Sequence, residues 1–216
     1  GILVLAMFAY SGMASLSSEI LWTRILVFPM GSTLYSFALI LATFLSGIAL
    51  GSLTANKLLG RSHLVLKFLA IEISIGVFCI AILPVLSNLT EWTSLVDGYF
   101  YSLDSSPEKI IFIRSLFAFA LMFPPTFGFG LLFPLANHIC SYRFEGVGKT
   151  LGNIYSINTM GAVLGTILTP FMFIPLWGIR LSLYGIYALL ILFGVYVLTR
   201  VRKFKFTSTV MVLSMV

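Results

Sequence analysis

Six apolar segments, each about as long as a membrane crossing, make up most of this 216-residue chain. They lie near residues 2–24, 33–55, 64–86, 110–139, 150–178 and 181–200. An α-helix rises about 1.5 Å per residue, so about 20 apolar residues cross the roughly 30 Å of hydrocarbon in a bilayer. The sequence therefore predicts an all-α membrane protein with six spans in residues 1–206. We expect residues 207–216 to be a tail or the start of a further segment.

The composition excludes an ordinary water-soluble domain. Charged residues make up 9% of the chain and hydrophobic residues 59%, whereas about a quarter of the residues of a typical soluble domain are charged. The net charge of +6 does not indicate nucleic acid, because the basic residues cluster beside the apolar segments. We therefore expect the protein to contact the lipid bilayer and not nucleic acid.

The charges in the connections predict the topology. Basic residues cluster at 57–67, 143–149 and 200–205, while the connection 87–109 is predominantly acidic. Because cytoplasmic loops carry the excess of lysine and arginine, we expect both termini in the cytoplasm and residues 87–109 outside. Prolines should also distort two spans: Pro124-Pro125 predicts a break or kink near Phe123, and Pro170 with Pro175 predicts a bend in the fifth span.

Two spans contain glycines with the same spacing, Gly47 and Gly51 in the second and Gly161 and Gly165 in the fifth. Glycines four residues apart let two helix backbones approach closely, so we expect all four at helix-packing contacts. The two spans run in opposite directions in the predicted topology. An inverted repeat of three plus three helices requires this, and such a repeat builds one half of a major-facilitator fold.

Several motifs suggest a family. They are Ser11-Gly12, Glu19-x-x-Trp22-x-Arg24, Gly31-Ser32-x-x-Tyr35-Ser36 and Leu151-Gly152-x-x-Tyr155-x-x-Asn158-Thr159-x-Gly161-Ala162-x-x-Gly165. Over nearly its whole length, the chain resembles the membrane domain of the bacterial fused transporter-like (major-facilitator-like)/spermidine synthase family. This resemblance implies the bacterial inner membrane and a soluble aminopropyltransferase-type domain on the cytoplasmic side. No glycine-rich nucleotide loop follows Arg202, so we expect this chain to lack the synthase domain.

Polar residues in the first span form the first candidate intramembrane site. Ser11, Ser15, Ser18 and Trp22 lie at helical spacing, and Glu19 is next to that line. Lipid cannot solvate such a face, so it must contact other helices or a wet cavity. Glu19 could pair with Arg24 or Arg114 to fix helix packing, or it could have a functional role.

Glu72, Asn153 and Asn158 complete the candidate polar site. Glu72 could bind a proton or a cation, or it could be a protonated acid that is hydrogen-bonded to Asn153, Asn158 or a serine. The two asparagines could simply join helices by hydrogen bonds. No catalytic set or metal-ligand cluster is recognisable in the sequence, and the sequence leaves any cofactor undetermined, a bound lipid being one candidate.

Three functions are compatible with these features. The first is a non-catalytic membrane anchor or accessory domain that supports a cytoplasmic spermidine-synthase-like domain or a larger membrane complex. The second is a secondary transporter domain for a small cationic, polyamine-like solute, although the connection 51–61 lacks the aspartate of the major-facilitator signature. The third is an intramembrane enzyme. We favour the first, with other membrane subunits or further copies of the chain as partners.

Single cysteine substitutions test the predicted topology. An impermeant thiol reagent added from outside should label Asp97→Cys and leave Arg143→Cys unlabelled, because only the first position lies on the outer side. The measurement is the extent of labelling in intact cells. Labelling of Arg143→Cys without labelling of Asp97→Cys would overturn the topology.

Overall fold

A computed structural model describes the backbone of most of the chain, namely residues 2–30, 34–59, 63–88, 91, 94–95, 98, 107–141 and 147–213. These residues are helical apart from short connections. Where the structure describes both ends of a helix, the helices are α1 (Ile2–Met30), α2 (Leu34–Leu59), α3 (Leu64–Ser87), α4 (Pro107–Ser141), α5 (Val147–Leu168) and α6 (Ile174–Leu213). A π-helical turn, Thr169–Phe173, joins α5 to α6. Asp97 and Arg143 lie outside the described residues, so the predicted sidedness of the connections stays a prediction.

Five helical segments of the described chain are long and apolar enough to cross a membrane. They are Leu3–Val27, Leu34–Leu59, Leu64–Leu86, Phe112–Ile139 and Gly152–Val201. The first four correspond to the first four predicted spans. The fifth contains both remaining predicted spans in one stretch of 50 residues. The all-helical, multi-pass class is therefore confirmed.

The long fifth segment is interrupted at two points. Pro170 lies in the π-helical turn Thr169–Phe173, since proline has no backbone N–H and cannot continue the α-helical hydrogen bonding. Gly178 then leaves the helical conformation, with φ of 72° and ψ of 173°. Glycine adopts positive φ readily because it has no Cβ. The predicted bend in this span is confirmed.

The predicted break near Phe123 is wrong, whereas the alternative of a kink there stays a prediction. Helix α4 runs without interruption from Pro107 to Ser141 and contains Pro124, Pro125 and Pro134. Its glycines contact helices on two sides, with Gly128 against Ile75 of α3 and Gly130 against Ile48 of α2. Proline is tolerated inside membrane helices where neighbouring helices surround the backbone groups that it leaves without a donor.

Close backbone contacts join α1 to α5 and α2 to α4. A Cβ atom at Gly161 would overlap the carbonyl oxygen of Ala9, and one at Gly165 would overlap that of Met13. In the second pair, Gly47 lies against Thr126 and Gly51 lies against the carbonyl oxygen of Phe127. All four glycines that the sequence indicates therefore lie where two helix backbones approach closely.

Helices α3 and α6 form a third close pair. Gly76 of α3 packs against Ile191, and Gly194 of α6 packs against Ile73. Large buried side chains from α1, α3, α4 and α6 fill the space between the pairs, among them Met7, Phe8, Trp22, Phe68, Leu132 and Tyr187. The core is thus continuous across the bundle.

Alanine substitutions at two glycines test the importance of the α1–α5 contact. Gly161→Ala should reduce the free energy of unfolding by about 1–3 kcal/mol, because the new methyl group meets backbone rather than a movable side chain. Gly185→Ala is the matched control, since open space surrounds that position and alanine favours helix over glycine by about 1 kcal/mol. Thermal unfolding in detergent measures both. Equal stability of the two variants would contradict a close contact at Gly161.

Candidate functional site

The serines of α1 face the interior of the bundle. Ser11, Ser15, Ser17 and Ser18 are all buried, with 7% exposure at most. Their burial agrees with the physical requirement that this face avoid lipid. Ser11 and Ser15 also line a cavity, so the serine face contacts both helices and open space.

That cavity lies between α1, α2, α4 and α5 and has a volume of about 210 Å³. Most of its lining is apolar, and the polar part comes from serine and asparagine side chains. The lining residues are Phe8, Ser11, Gly12, Ser15, Leu16, Ile48, Ser52, Phe129, Gly130, Phe133 and Asn158. We call this space the central cavity. Its described lining contains no charged side chain.

Glu72 lies behind this cavity, on α3, and is completely buried. Neither of its carboxyl oxygens has a hydrogen-bond partner among the residues that the structure describes. Ser11 lies beside the carboxyl group but lacks the geometry of a regular hydrogen bond. Tyr10 is also close, although its hydroxyl donates to the carbonyl oxygen of Ile186 at 2.8 Å.

Glu19 is in a different environment from Glu72. It is half-buried in α1, Arg24 on the same helix is exposed, and Arg114 is partly buried on α4. Neither arginine forms an ion pair with the Glu19 carboxyl group in the described part of the chain. The structure therefore does not bring together the Glu–Arg pair that the sequence suggests.

The two asparagines of α5 have separate positions. Asn158 is partly buried, lies against Gly12 at the α1–α5 contact and lines the central cavity. Asn153 is exposed. Only Asn158 therefore lies at the candidate site, where its amide group supplies donors and acceptors.

A buried hydrogen-bond chain also joins α1 to α6. The Trp22 Nε1–H donates to the Tyr187 hydroxyl at 2.9 Å, which donates in turn to Ser18 Oγ at 2.9 Å. Ser18 then donates to the carbonyl oxygen of Ala14. The sequence indicates Ser18 and Trp22, but Tyr187 is 165 residues from Trp22 and no spacing connects them.

The fold and this site define a multi-pass, all-α membrane protein with a polar interior on its first helix. Comparison of the chain with protein-family models, with curated proteins and with solved structures found no match. Membership of the synthase-fused family therefore stays a prediction from the sequence motifs.

Replacing Tyr187 tests the energetic value of the hydrogen-bond chain. Tyr187→Phe should cost about 1–3 kcal/mol of unfolding free energy, because it leaves the buried Trp22 N–H without an acceptor. Tyr196→Phe is the control: Tyr196 is 46% exposed, and its ring, which contacts Arg200, is retained. The control should change stability by less than about 0.5 kcal/mol. Denaturant unfolding in micelles measures both. Similar values for the two variants would show that the Trp22–Tyr187–Ser18 hydrogen bonds contribute little to the stability of the protein.

Proposed function

We propose that the chain is a six-span bundle that serves as a non-catalytic membrane anchor or accessory domain. The directions of the helices support the count of six. Ala9 meets Gly161 and Met13 meets Gly165, so α1 and α5 run in the same direction. In contrast, Met7 meets Gly194 and Trp22 meets Tyr187, which makes α1 and α6 antiparallel. The chain then reverses near Gly178, which lies close to the start of α6, and crosses the membrane twice in this segment.

The pairing of helices supports an inverted repeat of three plus three. Exchanging α1 with α4, α2 with α5 and α3 with α6 converts the α2–α4 pair into the α5–α1 pair. The same exchange maps α3–α6 onto itself and α3–α4 onto α6–α1, and all of these pairs are in contact. This pairing is what one half of a major-facilitator fold would require.

The main support for the accessory function is the small volume of the central cavity and the lack of carboxylates in its described lining. Its volume of about 210 Å³ is below the range of about 300–1,000 Å³ typical of small-molecule sites. A polyamine-like solute also needs carboxylates along its path, yet Glu19 and Glu72 are both absent from the described lining. The close backbone contacts at Gly47 and Gly161 further favour a rigid bundle over one that opens.

The proposed partner is a cytoplasmic spermidine-synthase-like domain or another membrane subunit. The support for the synthase-like domain is the resemblance of the motifs around Glu19 and Asn158 to the membrane domain fused to such enzymes. A transporter for a small cation is the second candidate function. One observation favours it, namely the buried Glu72 without a hydrogen-bond partner.

Uptake into proteoliposomes separates the two functions. We expect radiolabelled putrescine and spermidine to enter sealed vesicles that contain the protein no faster than they enter protein-free vesicles, because no carboxylate lines the described cavity. Glu72→Gln vesicles are the matched control and should give the same rate. Saturable uptake by the unmodified protein that disappears in Glu72→Gln would reject the accessory function and favour transport.

A second measurement tests the accessory function directly. The protein extracted from its native membrane in polymer-bounded nanodiscs should migrate as a complex larger than one chain. Mass spectrometry of that complex should identify a synthase-like domain, another membrane subunit or further copies of the chain. Recovery of the chain as a monomer only would contradict the proposal.

A further inference from the structure

We propose that Glu72 is a proton-binding site that exchanges its proton with the central cavity through the hydroxyl group of Ser11. This inference goes beyond the accessory function, because an anchor needs no group that exchanges protons. It depends on three observations: the burial of Glu72, its lack of hydrogen-bond partners and the position of Ser11 between the carboxyl group and the cavity.

The burial of Glu72 determines the charge that the group can carry. The side chain has no exposed surface, and neither oxygen has a hydrogen-bond partner among the described residues. An ionised carboxylate in such a place has no compensation for the water that it loses, so the group takes up a proton and becomes neutral. A neutral carboxylic acid has an O–H group, whose proton it can transfer to a suitable acceptor.

Among the side chains that the structure describes, the helices around α3 supply no cation that would keep Glu72 ionised. From α1, Tyr10 faces the carboxyl group, and its hydroxyl is bonded to the carbonyl oxygen of Ile186. On α3 itself, Lys67 donates to the carbonyl oxygen of Leu58 at 3.2 Å. Cys79 lies about two helical turns from Glu72.

Helices α4 and α6 complete this environment. Helix α4 approaches α3 at Gly128, and its described titratable residues Arg114 and His138 lie about 20 and 15 Å along the axis from that point. Helix α6 approaches at Gly194 and Ile191. Tyr187, near this contact, is engaged with Trp22 and Ser18. Between Ile174 and Val201, the remaining titratable residues of α6 are Arg180, Tyr184, Tyr196 and Arg200. Arg180 and Arg200 contact the rings of Tyr184 and Tyr196.

Ser11 connects this buried acid to open space. It lies beside the Glu72 carboxyl group and is also part of the lining of the central cavity, where Ser15 lies one turn further along α1. A serine hydroxyl can accept one proton while it donates another, so it can relay a proton between an acid and a water molecule in the cavity. Gly12 and Asn158 border the same part of the lining and add polar backbone and amide groups.

The chemistry of the site favours a proton over a metal cation. Hard cations such as Ca²⁺ take about 6–8 oxygen ligands. The described side-chain oxygens that interact with the Glu72 carboxyl group are the Ser11 hydroxyl and the Tyr10 hydroxyl, which is already bonded to a backbone carbonyl. This set is too small to replace the hydration shell of such an ion.

Infrared spectroscopy of the full chain in nanodiscs tests the proposal. At neutral pH the spectrum should contain the C=O stretching band of a buried protonated carboxyl group, and transfer to D₂O should shift that band. The band should disappear in Glu72→Gln and persist in Glu19→Gln. Where Glu72→Gln fails to fold, isotopic labelling of glutamate, with aspartate unlabelled, shows that the band in the unmodified protein comes from a glutamate. Persistence of the band in Glu19→Gln then excludes Glu19, the other glutamate in the apolar helical segments.

The rate of hydrogen–deuterium exchange tests the role of Ser11. Ser11→Ala should slow the D₂O-induced shift roughly tenfold, because no hydroxyl group then carries the proton toward the cavity; a tenfold change corresponds to about 1.4 kcal/mol in the barrier. Tyr10→Phe is the matched control and should leave the rate unchanged, because the Tyr10 hydroxyl bonds to Ile186 rather than to the cavity.

Four outcomes would overturn the proposal. The band could be absent at neutral pH, or it could remain in Glu72→Gln. It could exchange in Ser11→Ala as fast as in the unmodified protein, which would exclude Ser11 as the relay. Lastly, Na⁺ or Ca²⁺ added at constant pH could remove the band, which would identify a metal-cation site. The infrared measurements do not involve polyamine uptake or the size of the complex. A negative result would therefore reject the proton-binding site without rejecting the accessory function.

Discussion

Direct contact between helix backbones is the interaction on which this bundle depends. In a membrane, lipid tails are as apolar as leucine side chains, so burial of apolar surface does little to bring helices together. Close packing must replace it, and Gly161 on Ala9 and Gly51 on Phe127 supply such packing without an intervening side chain. These contacts tie α1 to α5 and α2 to α4. The central cavity lies between the two pairs.

The same contacts determine where polar groups can lie. With α5 held against one side of α1, the serine face of α1 lies partly on the cavity and partly on α3 and α6. Ser18 therefore joins the hydrogen-bond chain with Tyr187 and Trp22, while Ser11 lies between Glu72 and the cavity. One polar stripe thus serves two purposes. Its C-terminal part joins α1 to α6 by hydrogen bonds, and its N-terminal part lies between the buried acid and open space, where we propose that it relays a proton.

Glu19 and Glu72 illustrate how differently two membrane carboxyl groups can behave. Glu19 is half-buried in α1. Glu72 has neither exposure nor a hydrogen-bond partner among the described residues. The proposed accessory function explains neither the burial of this acid nor its position behind Ser11. A proton-binding role accounts for both, since protonation removes the cost of an uncompensated charge.

The sequence alone determined the helical class, four of the spans and the glycines at close contacts, because hydrocarbon length and side-chain size act locally. Tertiary structure decided the rest. Helices that are apolar all round do not specify which face meets which neighbour, so no spacing could place Tyr187 beside Trp22 or Ser11 beside Glu72. The sequence likewise predicts a break or kink at Pro124 and Pro125, whereas α4 continues through both residues and packs against α2 and α3 just beyond them. The face that each helix turns toward its neighbours depends on all of those neighbours together. Only the folded bundle therefore determines this orientation.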